Sequence, residues 1–319
     1  MPIHKRKFNP EDDLGFGQQP VMKNQPLLNR DGSTNVKRMG HSIFSTTDTY
    51  HDLITMSWGR FWVVVLSGYF VINIAFAFIY LIAGIQNLDG AEGKNFFEHF
   101  SNAFFFSAQT MSTVGYGHIS PKGLTTNSIA ALESMLGLLC FALATGLLYG
   151  RFSRPSAKLV YSKNILIAPY REHSRGIMFR LANKRKNLLI DLVVEVIFSY
   201  NEMVNGKPIR RFIPLELERR HVSLLTMSWT IVHPLDDASP LRDLTHDEFI
   251  KSEASFSILL KAFDDTFSQT VHSRAAYMPN DIVWDARFKP AFDRDDEGRI
   301  ILDLGKIHDY EEHTLPSFK

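Results

Sequence analysis

Residues 96–117 read FFEHFSNAFFFSAQTMSTVGYG, and this stretch decides how the rest of the chain is organised. Residues 96–111 are largely apolar, but they are too few to cross about 30 Å of hydrocarbon, and Glu98 and His99 interrupt them. The pattern predicts a re-entrant half-helix. Non-helical backbone at membrane depth is tolerated only where it is buried in protein or lines a watery cavity. The glycine-containing segment that follows must therefore do one or the other.

Two long apolar runs flank this stretch. Residues 61–85 carry no charge, and residues 129–150 carry one acid, Glu133. Each is long enough for an α-helix to span the bilayer. We predict a transmembrane pore domain at 61–150, with an outer helix at 61–85, a pore helix and filter at 96–117 and an inner helix at 124–150. Two spans place both termini on the same side.

The distribution of basic residues predicts which side that is. The link at 86–123 contains only two lysine or arginine residues, Lys94 and Lys122. The opposite ends of the two runs are more basic, because they carry Arg60, Arg151, Arg154 and Lys158. By the positive-inside rule both termini are cytoplasmic, and we expect a multi-pass protein of the plasma (inner) membrane.

The segments before the first span lack the composition of a core. Residues 1–44 are rich in proline and polar residues, which predicts an N-terminal cytoplasmic arm. Within 45–60, Tyr50, Leu53, Ile54 and Trp58 recur at helical spacing. This predicts an interfacial slide helix that runs to Trp58, and the alternative is a short helix packed on a soluble domain.

Residues 151–319 have a different texture, a linker followed by short strand-like runs. We predict strands at 165–167, 177–181, 188–198, 208–217, 223–232, 255–263 and 300–304. Asn205-Gly206 between two of these runs is a hairpin signal. The fold class expected here is an all-β sandwich. No GxGxxG, Walker loop or HExxH occurs, so nothing predicts a nucleotide-sensing module or an enzyme.

Composition sets further limits. At about 150 residues per domain, 319 residues suggest two domains, and 45% hydrophobic residues suffice for a core. Lys plus Arg number 35 and Asp plus Glu 34, so the net charge of +1 gives no sign of nucleic-acid binding. The single cysteine, Cys140, cannot form an intrachain disulfide.

The segment at 113–117 carries the candidate chemistry, because TVGYG-type strands replace the hydration shell of K⁺ with carbonyl oxygens. Gly115 and Gly117 can adopt the left-handed angles that this requires. The predicted K⁺-binding filter residues are Thr113, Val114, Gly115, Tyr116 and Gly117, with K⁺ held at Thr113, Val114, Gly115 and Tyr116. We expect Val114 and Tyr116 to pack behind the filter near Phe104–Phe106. Bound K⁺ apart, no cofactor is expected.

Because one chain supplies one filter strand, the default assembly is a homotetramer. The prediction is a passive potassium channel. Two alternatives remain from the residues alone. One is a ligand-gated two-span channel, which would need a βαβ domain after the pore. The other is a membrane-tethered β-sandwich binding protein without ion conduction, in which Gly-Tyr-Gly is a plain loop.

The chain resembles the inward-rectifier potassium channels, and most closely their prokaryotic members, the KirBac family. The filter, the step RFSRP at 151–155, RLANKR at 180–185 and WTIVHPLDDASPL at 229–241 carry this resemblance over about residues 30–310. It implies an immunoglobulin-like cytoplasmic domain that caps the pore and extends the ion path. It also implies that anionic lipid with a phosphoinositide-type headgroup binds near Arg151, Arg154 and Lys158, a basic cluster whose alternative role is to set topology.

Three further roles are expected along the inner helix. Phe141, Thr145 and Tyr149 are four apart and share a face, which the resemblance turns toward the pore with Tyr149 as a hydrophobic gate. Gly137 is either a hinge or a site of close helix contact. Glu133 is expected behind the filter, hydrogen-bonded to the pore helix, and the alternative is cation binding in the cavity.

The chain also departs from the resemblance. Eukaryotic relatives carry a Glu-Arg pair that braces the filter, but here Gln109 and Ile119 stand near those positions, which favours a prokaryotic origin. Ba²⁺, Mg²⁺ and polyamines are the blockers that the resemblance implies. Phe141 occupies the place of the cavity acid of strong rectifiers, and the basic residues of 219–221 stand about where those channels are acidic. Both departures argue against strong rectification.

Overall fold

The computed structural model describes residues 28–33, 46–153, 157–171 and 174–316. The chain forms two compact units, one of residues 40–154 and one that joins residues 1–39 to 155–319. Most of the predicted arm, 1–44, lies outside the described residues. Residues 28–33 belong to the second unit, where Arg30 forms an ion pair of 3.0 Å with Asp281.

The first unit is helical. Its helices are α1 (Thr46–Thr55), α2 (Trp58–Ala83), α3 (Phe96–Met111) and α4 (Gly123–Phe152), with a short hairpin of β1 (Leu88–Asp89) and β2 (Ser120–Pro121). Helices α2 and α4, of 26 and 30 residues, are long and apolar enough to cross a membrane. The α3 helix, of 16 residues, is not.

The predicted slide helix ends earlier than expected. Helix α1 stops at Thr55, and Trp58 begins α2 instead of ending the preceding helix. The reason is local, because Ser57 has an extended backbone (φ −59°, ψ 151°) that interrupts the helical hydrogen bonds. Of the predicted apolar face, Ile54 is buried and Tyr50 is exposed.

Helices α2, α3 and α4 pack around a small apolar core. Phe76, Ala77 and Tyr80 of α2 meet Ala103 and Phe106 of α3. On the other side of α3, Gly137 of α4 lies against the carbonyl of Met111, where an added Cβ would stand 2.2 Å from the oxygen. The absence of a side chain at Gly137 therefore sets how closely α4 approaches the end of α3.

The second unit is built from two five-stranded sheets. One has the order β11-β10-β6-β7, with β8 paired to β6, and the other has the order β12-β4-β5-β3, with β9 paired to β5. Their bounds are β3 Leu159–Tyr161, β4 Ile165–Tyr170, β5 Ser174–Asn183, β6 Leu189–Val204, β7 Lys207–Pro214, β8 His221–Leu225, β9 Ser228–Pro234, β10 Ser255–Asp264, β11 Gln269–Tyr277 and β12 Ile282–Trp284.

The remaining elements of this unit, in chain order, are α5 His246–Lys251, β13 Ala286–Phe288, β14 Phe292–Arg294, β15 Ile300–Leu302 and β16 Tyr310–Glu312. Side chains from both five-stranded sheets share one core, in which Phe179 and Ile231 of one sheet meet Val194, Phe198 and Phe256 of the other. The fold class is thus confirmed, with two long apolar helices in the first unit and an all-β sandwich in the second.

Each of the seven predicted runs overlaps a strand, but the described part of the second unit has fourteen strands, β3 to β16, and not every boundary agrees. The run at 223–232 is broken at Thr226 and Met227, and its halves, β8 and β9, join different sheets. Strand β11 was missed because its residues are mostly polar or small. The hairpin signal is confirmed, since Asn205 (φ 51°) and Gly206 (φ 74°) join β6 to β7 with the positive angles of a type I′ turn.

The motif at 229–241 is held by a buried histidine. Nδ1 of His233 lies 2.6 Å from the carbonyl of Glu216, so this nitrogen is the donor, and Nε2 lies 2.8 Å from the hydroxyl of Ser239. The Ser239 hydroxyl oxygen also accepts from the backbone N–H of Leu241. The neutral ring of His233 thus connects the loop after β9, at Ser239, to the segment before β8, at Glu216.

Burial lowers the pKa of His233 from its ordinary value of 6.5. Stability from the neutral ring is fully present above the unfolded pKa, and it falls as the pH drops below about 6.5, because the unfolded chain then binds the proton first. We predict that thermal unfolding followed by circular dichroism shows this fall. This fall should be shallower in His233→Gln than in the wild type. Equal pH dependence in the two proteins would contradict the assignment.

The Gly137 contact yields a second prediction. Gly137→Ala should lower the free energy of unfolding by about 1–3 kcal/mol, because the new methyl group collides with the backbone of Met111. Gly68→Ala in α2 is the matched control, since nothing lies within 4 Å of its added Cβ. Thermal melting of the detergent-purified proteins measures both, and an unaffected Gly137→Ala would refute the packing role.

Candidate functional site

The segment after α3 has alternating backbone handedness. Thr113 (φ 60°), Gly115 (φ 51°) and Gly117 (φ 77°) are left-handed, whereas Val114 and Tyr116 are not. Alternation of this kind turns successive carbonyls toward one side, which a regular helix or strand cannot do. Glycine adopts positive φ without strain, but Thr113 does so at a cost. The conformation therefore has to be held by its surroundings.

The last turns of α3 supply part of that hold. The backbone carbonyl of Gln109 accepts from the N–H groups of Val114 (3.0 Å) and Gly115 (3.4 Å), and that of Thr110 accepts from Thr113 (3.1 Å). These bonds fold the start of the segment back onto the helix end. The C-terminal end of α3 bears the negative end of its dipole, which favours a cation beside it.

The start of α3 is fixed by a reciprocal cap. Asn95 accepts from the backbone N–H of Glu98 through its side chain (2.9 Å), and the Glu98 carboxylate accepts from the N–H of Lys94 (2.6 Å). The acid that interrupts the apolar run in the sequence is thus a cap in the structure. His99 is the next residue, and its Nε2 lies 2.8 Å from the carbonyl of Gly93.

The expected packing of Val114 and Tyr116 against Phe104–Phe106 is not made within the chain. Val114 is 53% exposed and Tyr116 is 78% exposed. Phe106 instead packs edge-on against Tyr80, with ring centroids 5.0 Å apart. Within one chain the contact is absent because α3 turns Phe106 toward α2.

Glu133 is fully buried between the three helices. Its Oε2 accepts from the hydroxyl of Tyr80 in α2 at 2.6 Å, and its Oε1 is hydrogen-bonded to the hydroxyl of Ser107 in α3. Ser107 in turn lies 2.9 Å from Oδ1 of Asn73. Sequence reasoning singled out Glu133 but missed Asn73, Tyr80 and Ser107, whose only signal is that they are polar groups inside apolar helices.

Three of the predicted pore residues share an exposed face of α4. Phe141 and Tyr149 are 75% and 74% exposed, and Thr145 lies between them with its hydroxyl bonded to the carbonyl of Phe141. Helix α4 runs unbroken through Gly137, which the structure places in a packing contact with Met111. Its hinge role stays a prediction.

The basic cluster is only partly described. Arg154 lies outside the described residues, and Lys158 is exposed in the second unit. Arg151 is turned inward, since its Nη1 and Nη2 donate to the carbonyls of Leu53 (2.6 Å) and Met56 (2.7 Å).

The Arg151 guanidinium also lies 4.5 Å from the ring centroids of both Trp58 and Phe61. Arg151 therefore caps the end of α1 from α4, a role that its sequence position did not reveal. Its terminal nitrogens are engaged within the chain, in contrast to the lipid-binding role expected for it.

Comparison with known proteins gives matches along nearly the whole chain. The family described as inward rectifier potassium channel C-terminal domain matches residues 159–319, and the family described as ion channel matches residues 57–154. The chain is 36% identical to inward rectifier potassium channel Kirbac3.1 of Paramagnetospirillum magnetotacticum, over 92% of this chain and 98% of that protein.

Mammalian proteins match at lower identity. G protein-activated inward rectifier potassium channel 2 of Mus musculus is 24% identical over 92% of this chain and 74% of its own length. ATP-sensitive inward rectifier potassium channel 14 of the same species is 27% identical over 60% of this chain and 46% of its own length.

These relatives are channels and not enzymes, and neither a tethered binding protein nor a channel with a βαβ domain accounts for matches that extend through both units. The two apolar helices agree with a membrane protein. The chain belongs to the inward rectifier potassium channel family, and it is similar to a prokaryotic member over most of its length.

Proposed function

We propose that this protein is a passive, potassium-selective channel of the plasma (inner) membrane with both termini in the cytoplasm. The observation that carries the proposal is the alternating backbone of residues 113–117 directly after the C-terminal end of α3. Carbonyls turned to one side can replace the water around K⁺, and the Thr113 hydroxyl adds an oxygen at the inner end. The ions bound at Thr113, Val114, Gly115 and Tyr116 are the only cofactor required.

The working unit is a homotetramer. A single segment offers carbonyls from one direction only, whereas an ion in a filter is surrounded, so symmetry-related copies must close around an axis. The exposed large side chains support this assembly, because Val114, Tyr116, Phe141 and Tyr149 are each more than half exposed among the described residues. Neighbouring copies and the pore account for them.

The gate lies at the cytoplasmic end of α4. The exposed side chain of Tyr149 lies two residues before Arg151. Four such tyrosines around the axis narrow the pore enough to close it by dewetting. Arg151 joins this end of α4 to the carbonyls that end α1. A movement of α1 along the membrane surface is thereby transmitted to the gate.

The basic residues near the end of α4 bind anionic lipid, which modulates the channel. Lys158 is exposed and Arg154 precedes it by four residues in the sequence, and each basic side chain near an anionic surface contributes about 1 kcal/mol. Arg151 acts on the same region indirectly, through α1. Ba²⁺ is expected to block at the filter, whereas Phe141 offers no carboxylate to hold Mg²⁺ or polyamines in the cavity.

The proposed function predicts ion conduction. Liposomes that contain the purified protein should take up rubidium-86, driven by an outward K⁺ gradient, with block by Ba²⁺ and exclusion of Na⁺. Tyr116→Ala should reduce uptake or selectivity by on the order of tenfold or more, since the filter loses the side chain behind its backbone. Tyr310→Ala, an exposed tyrosine of the second unit, is the control.

No uptake in anionic, zwitterionic and phosphoinositide-containing liposomes would count against the channel, provided that the protein is folded and tetrameric. Uptake that Na⁺ shares equally would count against the filter assignment.

A separate prediction concerns Arg151. Arg151→Ala should lower the free energy of unfolding by about 2–4 kcal/mol, because two charged hydrogen bonds and a stacked cation are lost. Arg151→Lys should fall between, since lysine cannot bridge both carbonyls with a planar fork. Arg60→Ala, at an exposed arginine of the same unit, should change it by less than about 0.5 kcal/mol.

Thermal melting measures these stabilities, and rubidium uptake in the same preparations measures the gate. The coupling proposal is contradicted if Arg151→Ala melts at the wild-type temperature and conducts with the same lipid dependence.

A further inference from the structure

The helical unit contains a chain of buried polar side chains that crosses all three of its long helices. Asn73 and Tyr80 of α2, Ser107 of α3 and Glu133 of α4 are each fully shielded from solvent. Among the described residues, none of the ion pairs includes Glu133. An ionised carboxylate without a cation at this depth carries a large desolvation cost.

The orientation of the Asn73 side-chain amide determines the hydrogen bonding at one end of this chain of polar side chains. Its Nδ2 lies 2.7 Å from the carbonyl of Tyr69 and 3.6 Å from the sulfur of Met111, and both of these atoms accept. The amide oxygen of Asn73 must therefore be the atom that faces Ser107. An amide oxygen has no hydrogen, so the hydroxyl of Ser107 donates to it across 2.9 Å.

Counting hydrogens along the chain then determines the state of the carboxyl group. Three oxygen–oxygen contacts need three hydrogens: Tyr80 to Glu133, Glu133 to Ser107, and Ser107 to Asn73. Tyr80 and Ser107 supply one each. Because Ser107 spends its hydrogen on Asn73, the contact between Ser107 and Glu133 lacks one unless the carboxyl group itself carries it.

We infer that Glu133 is a neutral carboxylic acid that donates a hydrogen bond to Ser107 and accepts one from Tyr80, so that a chain of neutral hydrogen bonds fixes α3 between α2 and α4. Every donor and acceptor in the chain is then paired, which removes the cost of a buried unpaired group. This inference rests on the proposed function for its consequence, but not for its derivation.

The consequence is that Glu133 is a positioning residue for the filter. The chain ends at Asn73, whose Nδ2 contacts the Met111 sulfur in the last turn of α3. That same turn holds Val114 and Gly115 through the carbonyl of Gln109. Glu133 touches no ion in this arrangement. It acts by fixing the position of α3, the helix whose C-terminal end precedes the filter.

Infrared spectroscopy of the full-length protein in liposomes tests the protonation directly. A neutral carboxylic acid has a carbonyl stretch at higher frequency than any carboxylate, and the difference spectrum of wild type minus Glu133→Gln at neutral pH should contain this band. Glu92→Gln, which removes an exposed carboxylate of the same unit, should give none. The absence of the band from the Glu133→Gln difference spectrum would overturn the inference.

Rubidium uptake by variants tests the positioning role. Glutamine repeats the pattern of the neutral acid, because its amide donates to Ser107 and its carbonyl accepts from Tyr80. Glu133→Gln should therefore keep Ba²⁺-sensitive uptake and K⁺ over Na⁺ selectivity within about twofold of wild type, whereas Glu133→Ala and Ser107→Ala should lose on the order of tenfold in one or both.

The outcomes separate the two claims. A wild type that does not conduct contradicts the proposed function and leaves the infrared result to decide on the acid. A wild type that conducts while Glu133→Gln fails as badly as Glu133→Ala overturns the positioning role, provided that size-exclusion chromatography shows all proteins to be assembled alike.

Discussion

Backbone carbonyls inside a membrane need a partner, and in residues 113–117 the helical ladder no longer supplies one. The segment leaves α3 with left-handed residues at alternate positions, so its carbonyls turn to one side instead of back into a helix. In water such a segment would be a solvated loop. At membrane depth the account requires a cation to serve as the missing partner, and the negative end of the α3 dipole favours it.

A backbone held in this way needs rigid support, and the helical unit supplies it through polar contacts as well as apolar ones. The Gly137 contact with Met111 brings α4 against the end of α3, and the buried side chains of Asn73, Tyr80, Ser107 and Glu133 join the three helices. Apolar packing alone has little preference between neighbouring rotations of a helix in lipid, because lipid tails are themselves apolar. Paired hydrogen bonds select one rotation, and so one placement of residues 113–117.

The sequence was informative where one residue type has one physical use. The apolar runs, the short half-helix and the hairpin at Asn205-Gly206 could be read directly, because length and backbone angle decide them. It was silent on contacts between distant elements. Arg151 was expected to bind an anionic lipid headgroup or to set topology. Its contact with the end of α1 could not be foreseen, since nothing local shows that the carbonyls of Leu53 and Met56 lie beside it.

The same holds for the second unit, where the mostly polar strand β11 and the division of 223–232 between two sheets depend on tertiary pairing. Residues of the motifs that carried the family resemblance also stabilise the structure of this unit. His233 ties a loop to the chain before it, and Arg180 donates to the carbonyl of Lys289 and lies 4.6 Å from the ring of Phe288. Resemblance identified these residues, but only the contacts say what they do.

The central claim is that four copies of residues 113–117 close around an axis and coordinate K⁺ through their carbonyl oxygens. Anomalous diffraction from crystals of the assembled protein grown in rubidium tests it most directly. A row of anomalous peaks is expected on a four-fold axis, level with the carbonyls of Thr113, Val114, Gly115 and Tyr116. A well-ordered assembly without that axis, or with rubidium bound elsewhere and none between these carbonyls, would contradict it.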